Sequence, residues 1–112
     1  MKYKKLFSAF DHPLRFDILV LLSNRELCIC ELERALDAKQ YQISRHMKIL
    51  KDYDLVCVRK QRKYRYYSLN NTCTYLLSLL DILVRYPDEQ VRILKNKLLE
   101  LDKIPFVCES RV

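Results

Sequence analysis

Apolar residues recur every three to four positions along most of the chain, which is the spacing of helices with one buried face. One central stretch differs, because its apolar and polar residues alternate and it is rich in Val and Tyr, as is typical of strands. These patterns predict helices over residues 2–11, 13–23, 29–36, 40–51, 72–86 and 88–101, and strands over residues 55–60 and 64–69. Two short helices joined by a tight turn and followed by a hairpin indicate a mainly α fold with a small β-hairpin wing, a winged helix-turn-helix.

The positive charge of the chain is concentrated in one quarter of its length. Residues 39–67 hold nine basic and two acidic residues, which accounts for the whole net charge of +7. Such a local excess attracts a polyanion, so this stretch predicts contact with nucleic acid rather than only a solvated face. The sequence has neither a secretory signal nor the ~20 consecutive apolar residues of a membrane span, so we expect a cytoplasmic protein with no membrane partner.

The helix predicted over residues 40–51 carries the candidate base-reading side chains. Ile43, Met47 and Leu50 recur at i, i+4 and i+7 and define its buried face, so the other side chains point toward solvent. Gln, Arg and Ser are residue types that read base edges, and Lys suits phosphates. The hairpin tip adds two cations that can reach phosphates or an adjacent minor groove. The predicted DNA-binding residues are Gln40, Tyr41, Gln42, Ser44, Arg45, Lys48, Arg62 and Lys63.

The cysteine content favours metal or redox chemistry over a disulfide framework, because the chain has five cysteines and no signal peptide. Cys28 and Cys30 lie two positions apart at a predicted helix start, where backbone amides and the helix dipole favour thiolates. In a regular helix two such side chains diverge by about 200°, so joint ligation of one ion needs an extended or distorted helix start. Two cysteines that only pack are the alternative interpretation.

Four segments of the chain resemble the ArsR/SmtB family of metal- and metalloid-responsive repressors, of the arsenical-resistance type. The segments are 12–19 (HPLRFDIL), 26–32 (ELCICEL), 43–47 (ISRHM) and 59–69 (RKQ…YYSL), and the likeness runs in order over roughly residues 6–86. It implies a homodimer joined through its first and fifth helices, bound to an inverted-repeat operator in double-stranded DNA and released by a thiophilic ion. The family's base-contacting positions fall here on Gln40, Tyr41, Ser44 and Arg45.

The sequence departs from the family's pattern at the third metal ligand and at the turns. Arsenic-sensing members carry a third cysteine three residues after the second, where this chain has Glu33. The family's usual glycines in the helix-turn-helix turn and at the wing tip are replaced by Asp37-Ala38 and Arg62, since the chain has no glycine. The metal site that other members build on the fifth helix from Asp and His is not expected, because Asp81 has no histidine near it in the sequence.

The expected effector is a thiophilic ion held by Cys28 and Cys30, with Cys108 of the polar C-terminal tail as the first candidate for a third ligand. As(III) or Sb(III) favours three sulfurs and is preferred, while Cd(II), Zn(II) or Pb(II) stays open. Ion binding would strain the helix that supports the recognition helix. A repressor that senses oxidants or sulfur species through cysteine oxidation is the alternative. An enzyme is not expected, because no glycine-rich phosphate loop and no activated nucleophile is evident.

The size of the chain suits one domain over residues 1–112, with 40–51 as recognition helix, 55–69 as wing and 72–101 as dimerisation helices. Residues 76–84 are apolar nearly all round, which one small domain cannot cover, and this pattern also predicts a homodimer. A single apolar stripe on the last helix is expected to pack across the same interface; it consists of Val91, Leu94, Leu98 and Leu101.

Overall fold

The computed structural model describes residues 2–104, which form six helices and three strands. In chain order these are α1 (Lys2–Phe10), α2 (Pro13–Leu22), β1 (Leu27–Cys28), α3 (Ile29–Leu36), α4 (Gln40–Asp52), β2 (Val56–Gln61), β3 (Tyr64–Leu69), α5 (Thr74–Arg85) and α6 (Glu89–Asp102). Every element predicted from the sequence is present with ends shifted by at most about two residues, and β1 is the addition. Across residues 2–104, none of the helices has both the length and the apolar character needed to cross a bilayer.

The three strands form one antiparallel sheet in the order β1-β3-β2. Gln61 pairs with Tyr64, so the hairpin closes over a two-residue turn and the predicted wing is confirmed. Cys28 of β1 pairs with Tyr66 of β3, which joins the first cysteine directly to the wing. The hydrophobic pattern could not predict β1, because a strand of two residues has no periodicity to detect.

The core lies between α2 and the helices that surround it. All five residues of α2 from Ile18 to Leu22 are buried, and Ile43, Met47 and Leu50 of α4 are buried as their spacing predicted. The apolar stripe of α6 is also buried, because α6 turns back across α2 and α3 of the same protomer. The expectation that this stripe packs across a dimer interface is therefore wrong.

Among residues 2–104, three residues other than glycine have a left-handed backbone conformation. Asp37 has φ of 51°, Asp54 of 60° and Arg62 of 57°. Asp37 caps the C-terminus of α3, and Arg62 is the first residue of the wing-tip turn. These are the two turns in which the ArsR/SmtB family usually has glycine. Residues with a Cβ occupy this region at a cost of roughly 1–2 kcal/mol, so the turns are kept at the expense of some stability.

Candidate nucleic-acid interface and thiol pocket

Helix α4 presents the side chains that were expected to read bases. The helix begins after Lys39, whose backbone N–H donates to Oε1 of Gln42 at 3.1 Å and so satisfies one group at the helix start. Tyr41 is 60% exposed, so its ring is available to a partner. The solvent-facing side chains of α4 include Gln40, Tyr41, Gln42, Ser44, Arg45 and Lys48.

On one face of the wing, the positive charge of Arg59 is neutralised by Glu26. Arg59 of β2 donates to both carboxylate oxygens of Glu26, at 2.8 Å from Nε and 2.6 Å from Nη2, and its guanidinium lies 4.6 Å from the centre of the Tyr66 ring. The bonds from Glu26 raise the pKa of Arg59 above its ordinary value. This face therefore contributes little net charge, and Glu26 links the segment before the cysteines to the wing.

The opposite face of the wing turns toward α4 and carries Lys60 and Arg65, which are direct partners across β2 and β3. The exposed Arg62 and Lys63 form the turn beyond them. A groove lies between the wing and α4, and Lys48 and Lys51 line it from the side of the helix. Cations of the helix and cations of the wing therefore meet in one groove.

Both candidate cysteines line a pocket of about 240 Å³ between α3, α4 and the wing. Cys28 is extended, with φ of −91° and ψ of 168°, and is the residue before the first turn of α3; Cys30 is the second residue of that helix. Because Cys28 is not helical, the divergence expected for two helical residues does not apply to this pair. The pocket lining is Cys28, Ile29, Cys30, Gln40, Ser44, Lys63, Tyr64, Arg65 and Tyr67.

Ion pairs hold the start of α3 in this extended form. Oε1 of Glu31 accepts the backbone N–H of Cys28 at 3.0 Å, and Oε2 pairs with Nη2 of Arg25 at 2.9 Å. The same nitrogen of Arg25 contacts Oδ1 of Asp102 at the end of α6 at 2.8 Å. Burial alone would lower the pKa of Arg25, but its bonds to the two carboxylates outweigh burial and raise it.

The other predicted thiol ligand, Cys108, lies outside the described residues. Within residues 2–104, no three His, Cys, Asp or Glu side chains are grouped to hold a metal ion. Cys57 is exposed on β2, and Cys73 is buried before α5, where its Sγ donates to the carbonyl of Asp54 at 3.1 Å. A metal site at the pocket therefore needs a ligand beyond the two cysteines.

The two histidines of the chain stack beside the recognition helix, with ring centres 4.0 Å apart. Nδ1 of His12 accepts the backbone N–H of Leu14 at 3.1 Å, and Nδ1 of His46 accepts from Nη1 of Arg15 at 3.1 Å. Burial, followed by His12 and two nearby arginines, lowers the pKa of His46. His46 is thus packed and hydrogen-bonded, as its place at the edge of the buried stripe indicated.

Sequence reasoning missed Lys60, Arg65 and Tyr67 as residues of the candidate interface. A signal for Lys60 and Arg65 existed: a two-residue turn at 62–63 places residue 60 opposite residue 65. Nothing local indicates which face of the hairpin meets α4, because that depends on how the sheet packs on the helices.

Comparison with known proteins agrees with this architecture. Residues 12–57 match the family described as bacterial regulatory protein, arsR family. The arsenical resistance operon repressor of Escherichia coli (strain K12) is 34% identical over 96 residues, covering 84% of this chain and 82% of the relative. The arsenical resistance operon repressor of Staphylococcus xylosus is 39% identical over 87 residues, covering 74% of this chain and 84% of the relative. HlyU from Vibrio cholerae N16961 superposes with a TM-score of 0.72 at 29% identity, over 77% of this chain and 91% of that chain. The chain therefore belongs to the ArsR family and is a winged-helix, DNA-binding transcriptional repressor rather than an enzyme.

Proposed function

We propose that this repressor binds an inverted-repeat operator as a homodimer and releases it when a thiophilic ion binds at Cys28 and Cys30. The observation that carries the proposal is the single pocket that both cysteines share with Gln40 and Ser44 of α4 and Lys63 of the wing. Of the described cysteines, these two are the pair that borders residues expected to contact DNA. An ion in this pocket is bound next to the groups that hold the operator.

Ion binding acts on DNA affinity through the start of α3. Cys28 is fixed by its pairing with Tyr66 in the sheet, whereas Cys30 belongs to the first turn of α3. Drawing the two sulfurs onto one ion pulls that turn toward the sheet. Because α3 packs directly on α4, the recognition helix and the wing change their relative position. Couplings of this kind typically change affinity by 5- to 150-fold, or about 1–3 kcal/mol.

As(III) or Sb(III) is the preferred ion, because two arsenical resistance operon repressors are similar over most of the chain. These ions favour three sulfur ligands, and we propose Cys108 as the third. Cd(II), Zn(II) and Pb(II) also bind thiolates and accept three or four ligands, so they remain competing effectors to be tested against As(III).

The proposed dimer interface uses α1 and α5. Phe7 of α1 is 64% exposed and Ile82 of α5 is 53% exposed, although α6 already buries its own apolar stripe within the protomer. The two helices are neighbours, since the rings of Tyr3 and Tyr75 meet edge to face at 6.0 Å. Exposed apolar side chains on adjacent helices are typical of a surface covered by a second subunit.

The test is DNA binding by fluorescence anisotropy with reduced protein, titrated with As(III), Cd(II), Zn(II) and peroxide. We expect As(III) to lower the affinity of the wild type for its operator at least about tenfold. Cys28→Ser and Cys30→Ser should bind DNA as the wild type does but no longer respond. Serine is a favourable residue at the position before α3, which protects the fold of the first variant.

Cys57→Ser is the matched control, because Cys57 is an exposed thiol on β2 that does not line the pocket. It should respond to As(III) as the wild type does. If both pocket variants still release DNA on As(III) addition, the pocket is not the effector site. If they lose DNA affinity without any ion, the cysteines serve the structure only.

Oxidant sensing is the second candidate, because thiols that bind a thiophilic ion can also be oxidised, and Cys28 and Cys30 line the same pocket. In that case peroxide or a sulfur species changes the affinity of the reduced protein for DNA and the metal ions do not. The same titration series separates the two candidates, since each predicts a response to one class of reagent.

A further inference from the structure

We propose that Arg15 is a positioning residue that fixes the recognition helix α4 to the end of α1, and that protonation of His46 releases this link and weakens operator binding. The inference rests on the proposed binding of an operator by two recognition helices and adds the proton as a regulator of that binding. It uses a cluster of side chains at the start of α2, on the side of α4 that lies away from the thiol pocket.

The guanidinium of Arg15 joins three helices. Its Nε donates to the carbonyl of Ala9 at 3.2 Å and its Nη2 to the carbonyl of Ser8 at 3.1 Å, both in the last turn of α1. Carbonyls in the last turn lack partners within the helix, and a cation there is favourable to the helix dipole. The third nitrogen, Nη1, reaches Nδ1 of His46 on α4 at 3.1 Å. One side chain of α2 therefore holds α4 in a fixed place relative to α1.

The bond between Arg15 and His46 exists only while the His46 ring is neutral. Because an arginine can only donate, Nδ1 of His46 accepts, and the single ring proton lies on Nε2. A second proton would turn Nδ1 into a donor and remove the bond. Throughout residues 2–104 Arg15 takes part in no ion pair, so the new imidazolium would also face an arginine that keeps its full charge.

The groups around the His46 ring oppose its protonation. The ring of His12 lies 4.0 Å away at 35°, and Nδ1 of His12 is already the acceptor for the backbone N–H of Leu14. Burial is the largest cause that lowers the pKa of His46, and His12 is the next. Arg15 of α2 and Arg45 of α4 lower it further. A proton is therefore taken up only in acid, and at the expense of the link.

Two carboxylates face the same cluster without offsetting its cations. Asp17 of α2 and Asp37 of the turn before α4 line an open cavity of about 620 Å³ together with both histidines. The pKa of His46 is lowered in their presence. Nε2 of Gln90 donates to Oδ1 of Asp17 at 3.1 Å, and burial outweighs this bond and raises the pKa of Asp17. The experiment must therefore separate the titration of Asp17 from that of His46.

The link lies beside side chains that are predicted to read bases. Tyr41, Gln42 and Arg45 line the same cavity as the two histidines. An operator that holds these side chains in one direction also favours the linked, neutral form of His46. Operator-bound protein then binds fewer protons than DNA-free protein, so by linkage the affinity falls as the pH falls.

The test measures operator affinity by fluorescence anisotropy at pH 7.5, 6.5 and 5.5, on a duplex that the wild type has selected from random sequences at pH 7.5. Linkage allows at most a tenfold change per proton and pH unit, and we expect the wild-type dimer to bind roughly tenfold more weakly at pH 5.5 than at pH 7.5. In His46→Gln the amide oxygen can still accept from Arg15 but does not titrate, so its affinity should stay nearly constant. The wild-type pH dependence in this variant would assign it to another group, such as Asp17, and overturn the inference.

His12→Asn is the matched control, because asparagine is favourable at the position before α2 and can keep the cap on Leu14. This variant should stay sensitive to acid, with the decrease in affinity moved to higher pH, since His12 no longer lowers the pKa of His46. Loss of the pH dependence in His12→Asn would refute the role of His46. Stronger wild-type binding in acid would mean that His46 contacts the DNA as a cation, and would also overturn the inference.

An NMR titration of the histidine rings in DNA-free protein tests the Arg15 contact by itself. The wild-type spectrum should show the ring proton of His46 on Nε2 at pH 7.5. In Arg15→Met the pKa of His46 should rise, and operator affinity at pH 7.5 should fall toward the acid value of the wild type. If neither changes, Arg15 is not part of the link. Binding of the wild type without pH dependence would refute this inference alone, whereas no binding at any pH would refute the proposed function.

Discussion

His12 and His46 both serve as hydrogen-bond acceptors through Nδ1, so each must be neutral there for its bond to exist. Protonation of His46 would remove the bond from Arg15 and place a new cation against the His12 ring, 4.0 Å away. The bond between Arg15 and His46 therefore joins α2 to the recognition helix only while the His46 ring is neutral.

We expect His46 to make the protein less stable in mild acid. Burial first, then His12 and nearby arginines, lower its pKa from the ordinary value of 6.5. Between the lowered pKa and 6.5 the unfolded chain binds more protons than the native one, so stability rises with pH across this window. The contribution is fully present above about pH 6.5 and is lost as the pH falls toward the folded-state value.

Urea unfolding at pH 7.5, 6.5 and 5.5 measures this effect. The free energy of unfolding of the wild type should fall over this range more than that of His46→Gln, whose amide oxygen can still accept from Arg15 and does not titrate. The same pH dependence in both proteins would show that His46 does not cause it.

At the scale of elements, the start of α3 is where the candidate effector site meets the scaffold. One carboxylate, that of Glu31, fixes the backbone N–H of Cys28 and orders Arg25, which in turn reaches Asp102 of α6. The two-residue strand before α3 depends on this arrangement, because β1 is too short to be stable by itself.

Glu31→Ala should lower the free energy of unfolding by about 1–2 kcal/mol, the size expected for removal of a helix cap with a charge-assisted hydrogen bond. Denaturation of the variant by urea measures this decrease. Glu100→Ala is the control: Glu100 pairs with Lys103, the residue that follows α6, both side chains are exposed, and such pairs contribute little. Equal effects of the two substitutions would show that the Glu31 bonds do not hold the start of α3.

At the scale of the whole molecule, the apolar residues left exposed decide where a second subunit can bind. The apolar stripe of α6 packs on α2 and α3 of its own protomer, although Ile93 and Leu99 on its other side stay exposed. The adjacent helices α1 and α5 expose Phe7 and Ile82. The proposed homodimer through this surface would present two recognition helices, as an inverted repeat requires.

Ile82→Glu should convert the proposed dimer into monomers and lower operator affinity, because it would bury a charge in the proposed interface and leave the second recognition helix unsupported. Sedimentation velocity measures the first effect and fluorescence anisotropy the second. Leu99→Glu on α6 has a matched exposure, 54% against 53%, and should remain dimeric. If Leu99→Glu dissociates and Ile82→Glu does not, the interface lies on α6.

The sequence alone determined the helices, the hairpin, the outward face of α4 and the concentration of charge in residues 39–67. These features depend on neighbours within one helical turn or on strand alternation, so periodicity carries them. It also singled out Cys28 and Cys30, and the resemblance pointed to the left-handed turns at Asp37 and Arg62.

Only the tertiary structure decided which distant residues meet. Cys28 pairs with Tyr66 across 38 positions, Lys60 and Arg65 face α4, and the α6 stripe turns inward instead of toward a partner. Each of these follows from how apolar faces pack together in three dimensions, and packing is not encoded in any single stretch of the chain. The thiol pocket and the cationic groove exist because that packing places the wing beside the recognition helix.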